Sequence, residues 1–142
     1  MNYVDKENEL EILKSHNKIT EDLTSLSPVC TRQDVLEARK EVLNIEISEE
    51  VQRAIVDIVQ STRDNPITMF GASTRAALML QKAAKSFAAV NGRSFVSEDD
   101  LKNIYPYVLT HRLKFHMGAG SPHEALESLV EPHLETLSLI HI

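Results

Sequence analysis

Arg75 stands in the stretch GASTRA, residues 71–76, as one charged side chain among small residues just ahead of the apolar run ALMLQKAAKSFAAV. Ser73 has the side chain and position of an N-cap, with Ala76, Ala77, Leu80, Ala83, Ala84, Phe87 and Ala88 on one helical side and Gly92 after Asn91 as the stop signal. Arg75 therefore falls in the first turn. The helix macrodipole already places about half a positive charge there, so a cation costs about 0.3 kcal/mol or more on local grounds. The placement makes chemical sense if an anion is held beside the first-turn N–H groups, because a guanidinium fork and backbone donors then converge on it. On an anonymous helix an arginine here is more often a solvated ion-pair residue.

Other reactive side chains form no such pattern. His111 and His116 are five apart, which does not put both on one helical face, and Cys30, His123, His133 and His141 have no ligand spacing. No metal site is expected. HEALE is not H-E-x-x-H, and no local nucleophile motif surrounds any serine. The Ala-rich side of the helix after Ser73 suits close helix packing rather than a cofactor slot.

The elements that must position Arg75 read as helical throughout. YVDKENELEILKSHN forms a helix with Val4, Leu10 and Leu13 among charges, and NKITEDLTSLSPV, without strong periodicity, reads as a linker. Thr31 caps a helix with Asp34 three residues on, its Val35, Leu36, Val42 and Leu43 forming a stripe. Ser48 caps the next helix, where Glu49 and Glu50 suit the dipole and Val51, Ala54, Ile55, Ile58 and Val59 give a regular i, i+3, i+4 face. NPITMFGA is a shaped loop. Ser97 opens a helix with the stripe Leu101, Ile104, Tyr105, Val108, Leu109 and Leu113, and Pro106 predicts a kink or break in it. Ser121 and Pro122 restart the chain after a Gly-rich turn, with a second interruption expected at Pro132. RSFV is the only strand candidate.

Composition agrees with one compact all-α domain, a helical bundle of about five or six helices. The 142 residues are 42% hydrophobic, enough for one ordinary core. A net charge of -6 argues against general affinity for phosphodiester backbones or anionic membranes, so neither nucleic acid nor membrane is an expected partner. The single cysteine, the lack of a basic-then-apolar start and the absence of a long apolar run favour a soluble, cytoplasmic protein.

From about Pro28 to Leu113 the chain resembles the C-terminal lid of MoxR-type AAA+ ATPases. The resemblance is carried by PVCTRQDVLEARKEVLNIEISEEVQRAIVDIVQSTRD, then GASTRA as the family's sensor 2 motif, then NGRSFVSEDDL and VLTHRL. YVDKENELEIL resembles the segment that leaves the ATPase core and enters the lid. The division implied is an N-terminal helix and linker over 1–27, the AAA+ lid bundle over 28–115 and a helical extension over 116–142. The resemblance further implies that Arg75 reaches the nucleotide phosphates as sensor 2, with Gly71, Ala72 and Ser73 beside it. Arg63 and Arg112 could flank the same nucleotide or an adjacent subunit, although a solvated or structural role is the more economical expectation. Also implied are ATP and magnesium in the parent protein, an ATPase core in the same polypeptide, a ring homo-oligomer, and chaperone-like work on partners that include von Willebrand A-domain proteins.

The chain departs from a complete ATPase. It has no G-x-x-x-x-G-K-[ST] and no apolar strand ending in paired acids. It is expected to be a lid excised from a longer ATPase, inactive alone and holding no nucleotide tightly. A free-standing helical adaptor is the first alternative. The second, a nucleic-acid-binding domain, would need Arg32, Arg39, Lys40, Arg53 and Arg63 on one surface, which the acidic balance opposes.

Overall fold

The computed structural model describes residues 4–140, with side chains throughout that range except at 17, 19–24 and 139–140. Among the described residues, six helices carry the chain: α1 (Lys6–Ser25), α2 (Arg32–Leu43), α3 (Glu49–Ser61), α4 (Thr74–Val90), α5 (Glu98–Leu109) and α6 (Pro122–Ile140). Two short strands, β1 (Thr68–Phe70) and β2 (Lys114–Phe115), and a 3-10 turn at Thr110–Arg112 complete it. The all-α bundle class is thus the observed one. The chain divides into two units, 1–36 and 37–142, with the division inside α2.

In the first unit, α1 runs on to Ser25 through the stretch expected to be a linker. Its Ser and Thr residues lower helix propensity by only a few tenths of a kcal/mol each, about 0.5 at most, and no Gly or Pro stops the helix before Pro28. Thr31 and Asp34 form the expected cap: the Asp34 N–H donates to Thr31 Oγ1 at 3.1 Å, and the Thr31 N–H to Asp34 Oδ2 at 2.7 Å. The α2 stripe, however, is not a core face. No residue of α2 is buried, and Val35, Leu36 and Leu43 are all exposed.

The second unit holds the core. On α3 the whole predicted face, Val51, Ala54, Ile55, Ile58 and Val59, is buried in one core cluster with Ala76, Leu80, Ala84 and Ala88 of α4 and Leu101, Tyr105, Val108 and Leu109 of α5, α4 packing on both α3 and α5. Small residues on α4 let its backbone approach its neighbours closely. The stretch after Phe115 adds Leu126, Val130, Leu134 and Leu137 to the same core through α6, which packs on α3 and α5. Ser121 caps α6, with Glu124 N–H donating to its Oγ at 3.2 Å.

Both prolines expected to interrupt helices are accommodated inside them: α5 continues past Pro106 and α6 past Pro132. A proline removes one N–H and crowds the preceding turn. A threonine hydroxyl four residues after each proline donates to that proline's own carbonyl, Thr110 Oγ1, just past α5, at 2.7 Å and Thr136 Oγ1 at 2.8 Å, so the bond lost with the missing N–H is not replaced by it. Burial of Leu109 and Val108 beyond one proline and of Leu134 and Leu137 beyond the other keeps the helical course.

The strands also lie elsewhere than expected. RSFV contributes only an isolated parallel bridge, Phe95 with Glu46, while β1 and β2 pair antiparallel, Thr68 opposite Phe115 and Phe70 opposite Lys114. Runs of two and three residues are too short to show a period-2 pattern in sequence. Their consequence is positional: the ribbon fastens the loop entering α4 to the segment leaving α5.

The start of α5 is closed by a buried ion pair. Asp100 is fully buried, and its carboxylate accepts from the Ser97 N–H at 2.8 Å, from the Ser97 hydroxyl at 3.0 Å and from both terminal nitrogens of Arg93, the Nη2 contact being 2.6 Å. Burial by itself would raise the Asp100 carboxyl, but the hydrogen bonds from Arg93 and Ser97 with the Arg93 charge hold it below the ordinary aspartate value.

Candidate functional site

Gly71, Ala72 and Ser73 form the turn between β1 and α4, Arg75 follows in the first turn of α4, and α3 fixes the shape of the turn. Thr62, fully buried at the α3 C-terminus, donates its hydroxyl to the Val59 carbonyl at 2.7 Å and accepts the Ala72 N–H at 2.9 Å. The Arg63 Nε–H donates to the Ala72 carbonyl at 2.9 Å, and its Nη2 reaches Thr74 Oγ1 at 3.5 Å. Ala72 is thereby held by both its backbone groups. Gly71 lies so close that a Cβ there would stand 2.5 Å from the Thr62 carbonyl oxygen and 2.7 Å from the Arg63 Cα, so a side chain has no room. Arg63 thus serves the shape of the loop, the structural role expected of it.

Arg75 emerges from this fixed turn. Ser73 sits at the N-cap of α4 with extended backbone, but its side chain makes no hydrogen bond to the first turn, which contains no acidic residue. The side chain of Arg75 is exposed and makes no ion pair among the described residues. Gly71, Ser73, Arg75, Ala76, Met79 and Arg112 line a concavity of about 300 Å³. No carboxylate lines it. Arg112 arrives there because β2 begins two residues later, and its Nη1 donates to the Val108 carbonyl and lies against the His111 ring nitrogen.

The arrangement fits a phosphate group: two guanidinium groups, the positive end of a long helix, and no opposing acid. It does not fit magnesium, which takes oxygen ligands and usually a carboxylate. A larger concavity of about 990 Å³, lined by Ile45, Ile47, Lys85, Phe95 and Glu98 among others, shares no residue with this one and mixes both charge signs.

Sequence reasoning named the loop residues and Arg75 but missed Thr62, whose burial and two hydrogen bonds form only when α3 and the loop meet. Among the described residues no three His, Cys, Asp or Glu side chains gather to hold a metal ion, and His141 lies outside them. Of the five cations a nucleic-acid surface would require, Arg53 is ion-paired with Glu49 and Arg63 is engaged with the loop. No helix among the described residues is long and apolar enough to cross a membrane.

The chain is similar to known proteins. The chain matches the AAA lid domain family over residues 60–132, just over half its length, and it belongs to that family. It is 39% identical over 70 residues to the chaperone MoxR1 of Mycobacterium tuberculosis, covering 49% of this chain and 19% of MoxR1. It is also 33% identical over 116 residues to the uncharacterized protein YeaC of Bacillus subtilis, covering 82% of this chain and 36% of YeaC. The crystal structure of a candidate ATPase from Cytophaga hutchinsonii superposes with a TM-score of 0.73 at 30% identity, covering 92% of this chain and 43% of that one. Within its family this is a lid of the MoxR-type AAA+ class. The chain spans well under half the length of each of these relatives.

Proposed function

We propose that this lid covers ATP bound to an ATPase core of the same polypeptide and that Arg75 is its sensor 2 arginine. The observation that carries the reading is the exposed Arg75 in an uncapped, acid-free first turn, on a loop fixed by Thr62, Arg63 and Gly71. ATP, when bound, supplies a terminal phosphoryl group for transfer to water and the charge that Arg75 recognises. Arg75 binds and orients that phosphate end, with Gly71, Ala72 and Ser73 bringing the backbone of the turn close to it. A charge-assisted contact that exists with three phosphates and weakens with two biases the position of the whole helical body, because α3, α4, α5 and α6 share one core. Magnesium would be held by the core rather than by the lid.

In this reading residues 1–27 lead from the core into a lid that begins near Pro28, and 116–142 are its helical extension. The assembly is a cytoplasmic ring of identical subunits that spends ATP in chaperone-like maturation or activation of partner proteins, von Willebrand A-domain proteins among them. Support comes from the likeness to MoxR1, whose name describes a chaperone.

A helical adaptor without ATPase activity is the second reading, favoured by the exposed apolar Phe70, Leu78 and Tyr107. Nucleotide affinities separate the two. In the ATPase polypeptide carrying this lid, Arg75→Ala should weaken ATP binding about tenfold and ADP binding much less, the difference reporting a contact of about 1.4 kcal/mol to the terminal phosphate. Equal ATP affinity in the variant and the parent would remove Arg75 from the site.

A further inference from the structure

We propose that Arg112 is the second arm of a two-arginine polyphosphate clamp whose first arm is Arg75, an inference that rests on the phosphate-facing role of Arg75 given above. The two residues come from different helices, far apart in sequence. They share one concavity because Phe70 pairs with Lys114, which sets the turn just after β1 beside the residues just before β2. The ribbon therefore has a chemical consequence.

Arg112 differs from a surface arginine in three respects. It lines the same concavity as Arg75, together with Gly71, Ser73, Ala76 and Met79. Its Nη1 donates to the Val108 carbonyl near the end of α5 and lies against the His111 ring nitrogen, so the side chain is tethered rather than free to sweep solvent. No carboxylate lines the concavity to neutralise either guanidinium, and like charges brought together in this way are stabilised when an anion lies between them. A single phosphate is served by one guanidinium fork. Two forks on separate elements suit a ligand with charge on successive phosphates, so the clamp selects a polyphosphate chain over a monophosphate. Arg63 is not part of it, because its guanidinium holds Ala72 and Thr74.

The test uses the 142-residue chain, with inorganic tripolyphosphate and orthophosphate as probes, calorimetry for affinity and 15N-labelled amides of residues 72–76 as reporters. Tripolyphosphate should bind about tenfold more tightly than orthophosphate at equal ionic strength, and both Arg75→Ala and Arg112→Ala should weaken it by about fivefold or more. Arg112→Lys, which keeps the charge and a donor for Val108, should fall between, while Arg53→Ala on the outer side of α3 should bind as the parent does. Melting curves check that each variant is folded, and the lysine variant keeps the test decisive if the alanine variant is not. Tripolyphosphate binding lost in Arg75→Ala but unchanged in both Arg112 variants would overturn the clamp and leave the sensor role standing. Binding insensitive to Arg75 and Arg112 alike would overturn both.

Discussion

Two helix starts in the same core use arginine in opposite ways. At the start of α5 the guanidinium of Arg93 is locked onto the fully buried Asp100, with Ser97 closing the network, and Glu98 and Asp99 add negative charge to the first turn. At the start of α4 the cap makes no side-chain bond, there is no acid, and the charge added is the exposed Arg75. One end is complete within the chain. The other is electrostatically unfinished, on a loop that is nonetheless held rigid, and this combination suits a ligand of negative charge.

The comparison breaks most visibly at Asp100. Asp100→Ala should destabilise the second unit by about 3 kcal/mol, the low end for a buried pair because the Arg93 side chain keeps 31% of its exposure. Chemical denaturation followed by circular dichroism measures it. The same pair shapes the acid limb of stability. The folded-state pKa of Asp100 lies below its unfolded value of about 3.9, so its contribution is present above that pH and is lost as pH falls through the folded value. Asp100→Asn should flatten stability against pH in that window and leave it unchanged in shape near neutrality; an unaltered acid slope would count against the pair.

The loop that presents Arg75 should yield next. Gly71→Ala forces a Cβ against the backbone of Thr62 and Arg63 and should cost about 2 kcal/mol, read as a lower denaturation midpoint. Thr62→Val keeps the shape but strands the Ala72 N–H, for a loss of about 1–2 kcal/mol. Both should also blunt any response to phosphate, since they loosen the turn from which Arg75 projects. Arg75→Ala itself should change stability by less than about 0.5 kcal/mol, because the side chain is exposed and carries no pair among the described residues.

The cores of these elements were legible in sequence wherever one local rule decided the outcome. The α3 stripe from Val51 to Val59 is buried as its spacing predicts, and the caps at Thr31, Ser48 and Ser121 need only neighbours within one turn. What was not legible depends on contacts between distant segments. Pro106 and Pro132 break isolated helices, but burial on either side holds these two. The α2 stripe has helical spacing, yet none of its residues is buried among the described residues. At the site, the motif disclosed Arg75, whereas the joining of Arg112 to it depends on a ribbon of five residues with no readable period.

The central claim is that Arg75 serves a nucleotide and not the fold. Its most direct test is the ATP turnover of Arg75→Ala in the ATPase polypeptide carrying this lid, measured beside the melting of the same variant. The account predicts turnover reduced by about tenfold or more, a barrier change of about 1.4 kcal/mol, with a cooperative melt at the parent's temperature. Parental turnover with the same intact melt would contradict it.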